Sequence, residues 1–310
     1  MNRVIVICGP TASGKTYFAH QLAQKYNGEI ICADSLQLYK QIPIVTASPA
    51  DSLKRELPYL LYNFLDITEN NYSTVRYAKI AAQVIKEVRL REKLPIVVGG
   101  SGLYINTLLS GYSAIPEISD VIKSEARALQ AHIGQKQFFA YLKALDPLAA
   151  NKLHCLDAQR TIRAYEVFKQ TGQSIITFQH NKVITPLNNV IVSIVLLNPE
   201  RNFLYFNCNT RLQRMFETGA IEEVAAIMPL IINKVINEKN SKIHAIAIQE
   251  IIKYLNNQLT LSEALSLAQN RTRRYAKRQV TWFKHQIKNK ITLEYSNDRE
   301  LEILVSKNEV

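Results

Sequence analysis

A chain of 310 residues with 38 Lys and Arg against 26 Asp and Glu carries a formal net charge of +12. Its 47% hydrophobic and 21% charged residues exclude a disordered or low-complexity chain. The positive excess favours polyanion partners, nucleic acid before anionic membrane, and a basic surface with no partner stays open as the alternative.

Val4–Ile7 with Cys8 form a short apolar run that Gly9-Pro10 ends, so it reads as a buried strand rather than a signal peptide. No stretch approaches the roughly 18 apolar residues that span a bilayer. A soluble, cytoplasmic protein without membrane association is expected. The four cysteines, Cys8, Cys32, Cys155 and Cys208, show no C-x-x-C pair and no zinc-ligand grouping. They read as reduced thiols in or near the core.

After the first strand, residues 9–16 read Gly-Pro-Thr-Ala-Ser-Gly-Lys-Thr, a complete G-x-x-x-x-G-K-[ST] phosphate loop (P-loop) that opens a helix over 16–26. Gly9 and Gly14 let the backbone curl so that successive N–H groups face phosphate oxygens, while Pro10, Thr11, Ala12 and Ser13 complete the cradle. The helix N-terminus adds its dipole, Lys15 a mobile cation, and Thr16 a hydroxyl ligand for Mg²⁺. The loop states that a polyphosphate binds, not which one. A second strand over 29–33 ends at Asp34, where the ligand crevice of an open parallel sheet lies. Loop capping, Mg²⁺ binding and general-base work all remain open for it. Ser35-Leu36-Gln37-Leu38-Tyr39 beside it suits an organic group better than phosphate alone.

A long helix over 75–92 leads to a third strand over 96–98 and a second glycine loop, Gly99-Gly100-Ser101-Gly102-Leu103-Tyr104. This loop reads as a further wall of the same cleft, with Ser101 its notable side chain. Strand and helix alternation predicts an α/β fold, a P-loop NTPase-like parallel sheet core. The strand signal then disappears from 113 to 186, where helices are expected over 121–132, 137–145 and 157–171, separated by Gly134, Asp146-Pro147 and Gly172. A strand returns over 190–197, and 210–289 reads as helical. The expected organisation is a core of 1–112 and 187–310 that includes the C-terminal helices, and an inserted helical domain of 113–186.

The last helix is strongly basic, with eight Lys or Arg and no acid between Glu263 and Glu294. Ala276, Val280 and Phe283 form an apolar stripe, and Arg274, Lys277, Arg278 and Thr281 lie on another side. One side would dock on the protein and the other meet nucleic-acid phosphates. A merely solvated basic face is the bland alternative. Gln159-Arg160-Thr161-Ile162-Arg163 is a second, smaller candidate.

These pieces in order, GPTASGKT at 9–16, ADSLQLY at 33–39, GGSGLY at 99–104, LDAQRTIRAYEVFKQTG at 156–172, the stretch Arg211–Val224 and RRYAKRQVTWFKH at 273–285, resemble the bacterial tRNA dimethylallyltransferases (tRNA isopentenyltransferases). The likeness runs from residue 4 to about 288. It implies transfer of a dimethylallyl group from dimethylallyl diphosphate to N6 of the adenosine beside the anticodon, with Mg²⁺. A P-loop small-molecule kinase or NTPase, binding ATP, is the alternative. The implied tRNA contacts are Asp34, Ser35, Leu36, Gln37, Ser101, Lys123, residues 159–163, Arg274, Lys277, Arg278 and Gln279. The implied catalytic set is Asp34 as base, with Lys15, Thr16 and Arg211 on the leaving diphosphate. The partners are then the anticodon stem-loop of tRNA and dimethylallyl diphosphate, with no membrane, for a monomeric enzyme. Four departures stand out: Tyr62-Asn63 replaces a usual His-His pair, Ile246-Ala247-Ile248-Gln249-Glu250 a usual I-G-Y-x-E, Asn207 a usual arginine, and Gln213 a usual aspartate. No zinc-finger extension follows Phe283, which suits the shorter bacterial form.

Overall fold

The structure, a computed structural model, describes residues 2–69, 72–180, 183–233, 235–236 and 247–306. Two compact units emerge, Met1–Leu109 with Pro186–Val310, and Ser110–Thr185.

The larger unit begins with β1 (Arg3–Cys8), α1 (Lys15–Tyr26), β2 (Gly28–Cys32), α2 (Asp51–Glu56), β3 (Tyr59–Leu60), α3 (Thr74–Leu90), β4 (Leu94–Gly99) and α4 (Gly102–Ser110). The strand Val4–Cys8 is buried throughout because it lies inside the sheet between two neighbours, with both faces covered. That is why it reads as an unbroken apolar run rather than an alternating one. Only one polar residue of β2 is buried, and its charge is matched: Arg91 meets Glu29 through two bonds, of 3.1 and 2.5 Å. Ser73 caps α3 by accepting the Arg76 N–H at 3.1 Å.

The smaller unit contains β5 (Tyr112–Ser113), α5 (Asp120–Leu145), α6 (Pro147–Ala150), α7 (Ala158–Thr171), α8 (Ile175–His180) and β6 (Val183–Ile184). The two helices expected over 121–132 and 137–145 are one segment broken at Gly134, whose φ of 78° and ψ of 162° leave the helical region. Asp146 then caps α6 with Pro147 in its first turn, and Gly172 ends α7 at φ 69°. Its core gathers Ala126, Phe138, Leu142, Ala164 and Tyr165, the two aromatic rings 5.3 Å apart. The strand signal is not wholly absent here: β5 and β6 pair antiparallel, two residues each, too short to show a period. Cys155 is exposed rather than in or near the core, because the 151–156 turn before α7 faces solvent.

The larger unit resumes with β7 (Ile191–Pro199), α9 (Arg201–Glu217), α10 (Ala220–Ile232), α11 (Ile248–Leu255), α12 (Leu261–Gln286), β8 (Ile291–Tyr295) and α13 (Asp298–Ser306). The six-stranded sheet has order β3-β2-β4-β1-β7-β8, and every pairing is parallel. The helical stretch expected over 210–289 starts earlier, at Arg201, and Ile246 falls outside the described residues. Past it the chain adds β8 and α13, which the sequence reading did not anticipate. Thr260 and Glu263 close a reciprocal capping box at the start of α12. Among the described residues no helix is long and apolar enough to cross a membrane.

Candidate active site

The phosphate loop joins β1 to α1 and turns through three left-handed residues, Gly9 (φ 153°), Ala12 (φ 62°) and Gly14 (φ 71°). A Cβ on Gly9 would lie 2.6 Å from the Leu197 carbonyl oxygen, so no side chain fits where β1 and β7 converge. Lys15 opens α1, and its ammonium donates to the Pro10 carbonyl at 2.6 Å. Burial lowers its pKa to about 8, with Asp34 opposing the fall and Arg211 adding to it. Arg211 reaches in from α9 and donates to the Thr11 hydroxyl. Its Nε is buried with no partner among the described residues, and burial pulls the guanidinium below its ordinary value, against the influence of Cys208 and Asp34. Two buried cations beside a glycine-rich loop at a helix N-terminus make a site that suits an anion. Thr16 is half-buried at the same helix start, and its hydroxyl makes no hydrogen bond among the described residues.

Two further loops are fastened to this one. The buried Gln279 side chain, from α12, accepts the Thr11 N–H at 2.8 Å and donates to the Gly100 carbonyl at 2.8 Å. Ser101 accepts the Ser35 N–H at 2.8 Å and donates to the Ser35 hydroxyl at 3.1 Å. The glycines of the second loop make room for protein. A Cβ on Gly99 would lie 2.0 Å from the Ala33 carbonyl oxygen, on Gly100 2.7 Å from Gln279 Nε2, and on Gly102 2.3 Å from the Trp282 ring. They admit the neighbouring strand end and α12.

Asp34 stands at the end of β2, with Oδ1 accepting the Leu36 N–H at 3.1 Å. Oδ2 faces Gly100, 3.2 Å from the position its Cβ would take. Thr11, Asp34, Leu36, Arg211, Met215 and Tyr275 line a single cleft. Burial pushes the Tyr275 phenol well up, and the Asp34 charge adds to it. Gln37 donates to the Thr46 and Ala47 carbonyls at 2.9 and 2.8 Å, while Glu223 of α10 accepts the Ile44 and Val45 N–H groups at 2.7 and 2.8 Å. Between them they shape the segment whose Val45 and Thr46 also line the cleft. Sequence reasoning passed over Glu223 and Tyr275; the Glu-Val of the 211–224 stretch and the Arg-Arg-Tyr of 273–275 were the signals available.

The remaining expected residues divide by exposure. Arg274, Lys277, Arg278 and Thr281 project from α12 into solvent, whereas Ala276 and Phe283 are buried. Gln279 does not belong with the exposed set, since it is 6% exposed and both ends of its amide are used inside the protein. On α7, Gln159 and Arg160 are exposed, and Arg160 and Arg163 pair with Asp157 at 3.5 Å and Glu166 at 3.2 Å. Thr161 is fully buried and donates to the Asp157 carbonyl at 2.9 Å, and Ile162 packs on the core of its unit. The helical period turns Thr161 inward, whereas Ile162 stays partly exposed. Lys123 pairs with Asp120 at 2.9 Å. Ser101 uses its hydroxyl within the protein, whereas the Ser35 hydroxyl accepts from it and keeps its own hydrogen to donate. Gln213 sits on the surface and bonds Glu217 at 3.1 Å.

A P-loop at the C-terminal edge of a parallel sheet, opening on a cleft with a carboxylate and apolar walls, defines an α/β protein of the P-loop class. A family model described as IPP transferase matches residues 37–286. A tRNA dimethylallyltransferase of Rickettsia bellii (strain OSU 85-389) is 53% identical over 297 residues, 96% of this chain and 92% of that protein. Among solved structures, the full-length tRNA isopentenylpyrophosphate transferase of Bacillus halodurans superposes with a TM-score of 0.68 at 29% identity, covering 99% of this chain and 95% of that one. A eukaryotic dimethylallyltransferase acting on tRNA gives a TM-score of 0.85 at 28% identity, over 99% of this chain and 77% of that one. The chain belongs to the IPP transferase family. Membership sets aside the kinase or NTPase alternative.

Proposed function

We infer that the chain acts as a tRNA dimethylallyltransferase, moving a dimethylallyl group from dimethylallyl diphosphate to N6 of the adenosine adjacent to the anticodon and releasing diphosphate. The observation that carries the residue assignments is the shared cleft: Thr11 and Arg211, which suit a diphosphate, line it together with Asp34 and with apolar Leu36 and Met215, which suit a prenyl chain.

In this reading the N6 lone pair forms a bond to C1 of the dimethylallyl group as the C1–O bond breaks and its electrons leave with the diphosphate. An aromatic amine is a weak nucleophile, so removing its proton as the bond forms helps, by roughly 10²–10⁴-fold for a well-placed base. Asp34 takes that proton. Lys15, Arg211 and the amides of residues 12–16 stabilise charge on the leaving group, because they are fixed before the reaction begins. The free Thr16 hydroxyl at the head of α1 fits a hard-cation ligand; Mg²⁺ held there supplies neutralising charge to the diphosphate. Arg274, Lys277 and Arg278 on α12, and Gln159 and Arg160 on α7, are the side chains offered to the anticodon stem-loop, from which the target base flips out of its stack. Every group named comes from one chain, which supports a monomer, and a tRNA substrate supports a cytoplasmic location.

The test is incubation with labelled dimethylallyl diphosphate and unmodified bulk tRNA, followed by identification of the labelled nucleoside. Label on N6 of the adenosine next to the anticodon is expected, and label elsewhere or nowhere refutes the reaction. Single-turnover transfer by Asp34→Ala should fall by about 10²–10⁴-fold with donor and tRNA binding retained. Near-normal chemistry removes Asp34 from the base role.

A further inference from the structure

We propose that the C-terminal β8–α13 segment braces the donor loop, with Tyr295 as the positioning residue that sets the loop's affinity for diphosphate. This rests on the loop binding the donor diphosphate, as inferred above. The family match ends at Gln286, and β8 and α13 lie beyond it. Yet this segment reaches the loop twice. The Tyr295 hydroxyl donates to the Ser13 carbonyl, and the Leu301 side chain covers Gly14 so closely that a Cβ there would lie 2.6 Å from it. Both residues are buried, at 4% exposure each.

The consequence for the anion site follows from peptide geometry. In a trans peptide the carbonyl oxygen and the next N–H point in opposite directions. No cis peptide occurs among the described residues. Holding the Ser13 carbonyl towards Tyr295 therefore turns the Gly14 N–H away from it. Gly14, at φ 71°, has no side chain to fix its own plane, so an outside group must do so. Gln279 and Arg211 fix the Thr11 end of the loop, and Tyr295 fixes the other. Its ring is itself held: Phe203 meets it edge-on at 6.2 Å, and its carbonyl accepts the Glu200 N–H at 2.7 Å. Burial raises the Tyr295 phenol far above ordinary, so it remains a donor throughout the working pH range.

The experiment compares full-length wild type, Tyr295→Phe and Phe203→Leu by calorimetric titration with inorganic pyrophosphate in magnesium buffer, by donor KM and kcat, and by thermal melting. Tyr295→Phe deletes only the hydroxyl, and pyrophosphate binding and donor KM should each weaken by about five- to tenfold, as for loss of one buried hydrogen bond. Its kcat at saturating donor and its tRNA affinity should stay within about twofold. Phe203→Leu, which loosens the packing of the ring but keeps the Tyr295 hydroxyl, should lower Tm and weaken pyrophosphate binding by less than about twofold. Equal weakening in both variants overturns the proposal by making the contact one of packing alone. Wild-type binding with an unchanged Tyr295→Phe overturns the brace but not the donor loop. A wild type that fails to bind pyrophosphate overturns the donor-loop reading and this proposal with it.

Discussion

Replacing Gln279 by alanine separates two roles for the basic helix α12. The wild-type amide satisfies two groups, the Thr11 N–H and the Gly100 carbonyl, each at 2.8 Å. Truncation orphans both, and a buried polar group left unpaired costs about 1–3 kcal/mol. The sum is on the order of 2–5 kcal/mol, which for a chain of this size lowers Tm by roughly 5–15 °C. Part of the loss appears in the donor loop, so donor KM should rise on the order of tenfold. Gln279→Glu should be worse than alanine. It keeps an acceptor for Thr11 but sets a second oxygen against the Gly100 carbonyl, and it buries a negative charge near Asp34. Thermal melts, donor KM and filter binding to tRNA across a salt series provide the readings. A tRNA affinity weakened tenfold, with Tm and donor KM unchanged, would make Gln279 a nucleic-acid contact and refute the reasoning.

Three other outcomes are expected. Because burial holds the free Lys15 ammonium at about 8, and the anion needs its protonated form, pyrophosphate affinity should be flat below pH 8 and fall by up to about tenfold per unit above it. Lys15→Arg should remove that fall, and a wild-type titration flat to pH 10 contradicts it. The same group acts oppositely on apo stability: the folded state binds fewer protons than the unfolded between about 8 and the ordinary 10.5, so the cost of burying the charge fades as pH rises through that window. Reversing Arg274 and Arg278 to Glu should weaken tRNA binding and make log K against log salt shallower by about 1.4–1.8 if both meet phosphates; an unchanged slope makes that face of α12 merely solvated. Ala247→Gly should stabilise the fold, since a non-glycine residue at φ 74° costs about 1–2 kcal/mol and the lost methyl only about 0.8 kcal/mol. Tm should rise by about 1–3 °C, and a lowered Tm contradicts the strain.

What the sequence made legible were features with a short repeat or a fixed spacing. The apolar run of β1, the glycine and lysine spacing of the loop, and Asp34 at a strand end each carry their meaning within a dozen residues. The basic face of α12 was equally readable, because exposed Arg274, Lys277 and Arg278 follow the helical period. Gln279 was not. It lies three residues after Ala276 and four before Phe283, so the helical period places it beside the apolar stripe, but a polar side chain among Lys and Arg concealed that. Thr161, beside Arg160 and Arg163, was misplaced for the same reason. The β8 strand escaped because ITLEY is half exposed at a sheet edge, with too few apolar residues to stand out from the polar segments around it.

The departure at Tyr62-Asn63 shows how support can change while chemistry stays. Asn63 adopts φ 49°, a conformation asparagine tolerates better than most residues. Its side-chain oxygen accepts from the Ser48 hydroxyl at 2.7 Å and the Lys54 ammonium at 3.0 Å, its amide donates to the Tyr39 carbonyl at 3.0 Å, and its N–H donates to the Gln37 carbonyl at 2.9 Å. Tyr62 is buried edge-on against Tyr59, ring centroids 5.6 Å apart. Neither residue lines the cleft. The Asn63 bonds to the Gln37 and Tyr39 carbonyls bear on the backbone that follows Asp34 rather than on the substrate. A pair of side chains held by these bonds can therefore stand where the family usually has two histidines, whereas the mechanism proposed above leaves no equivalent exchange for Lys15, Asp34 or Arg211, to which it assigns the charges that act on the substrates.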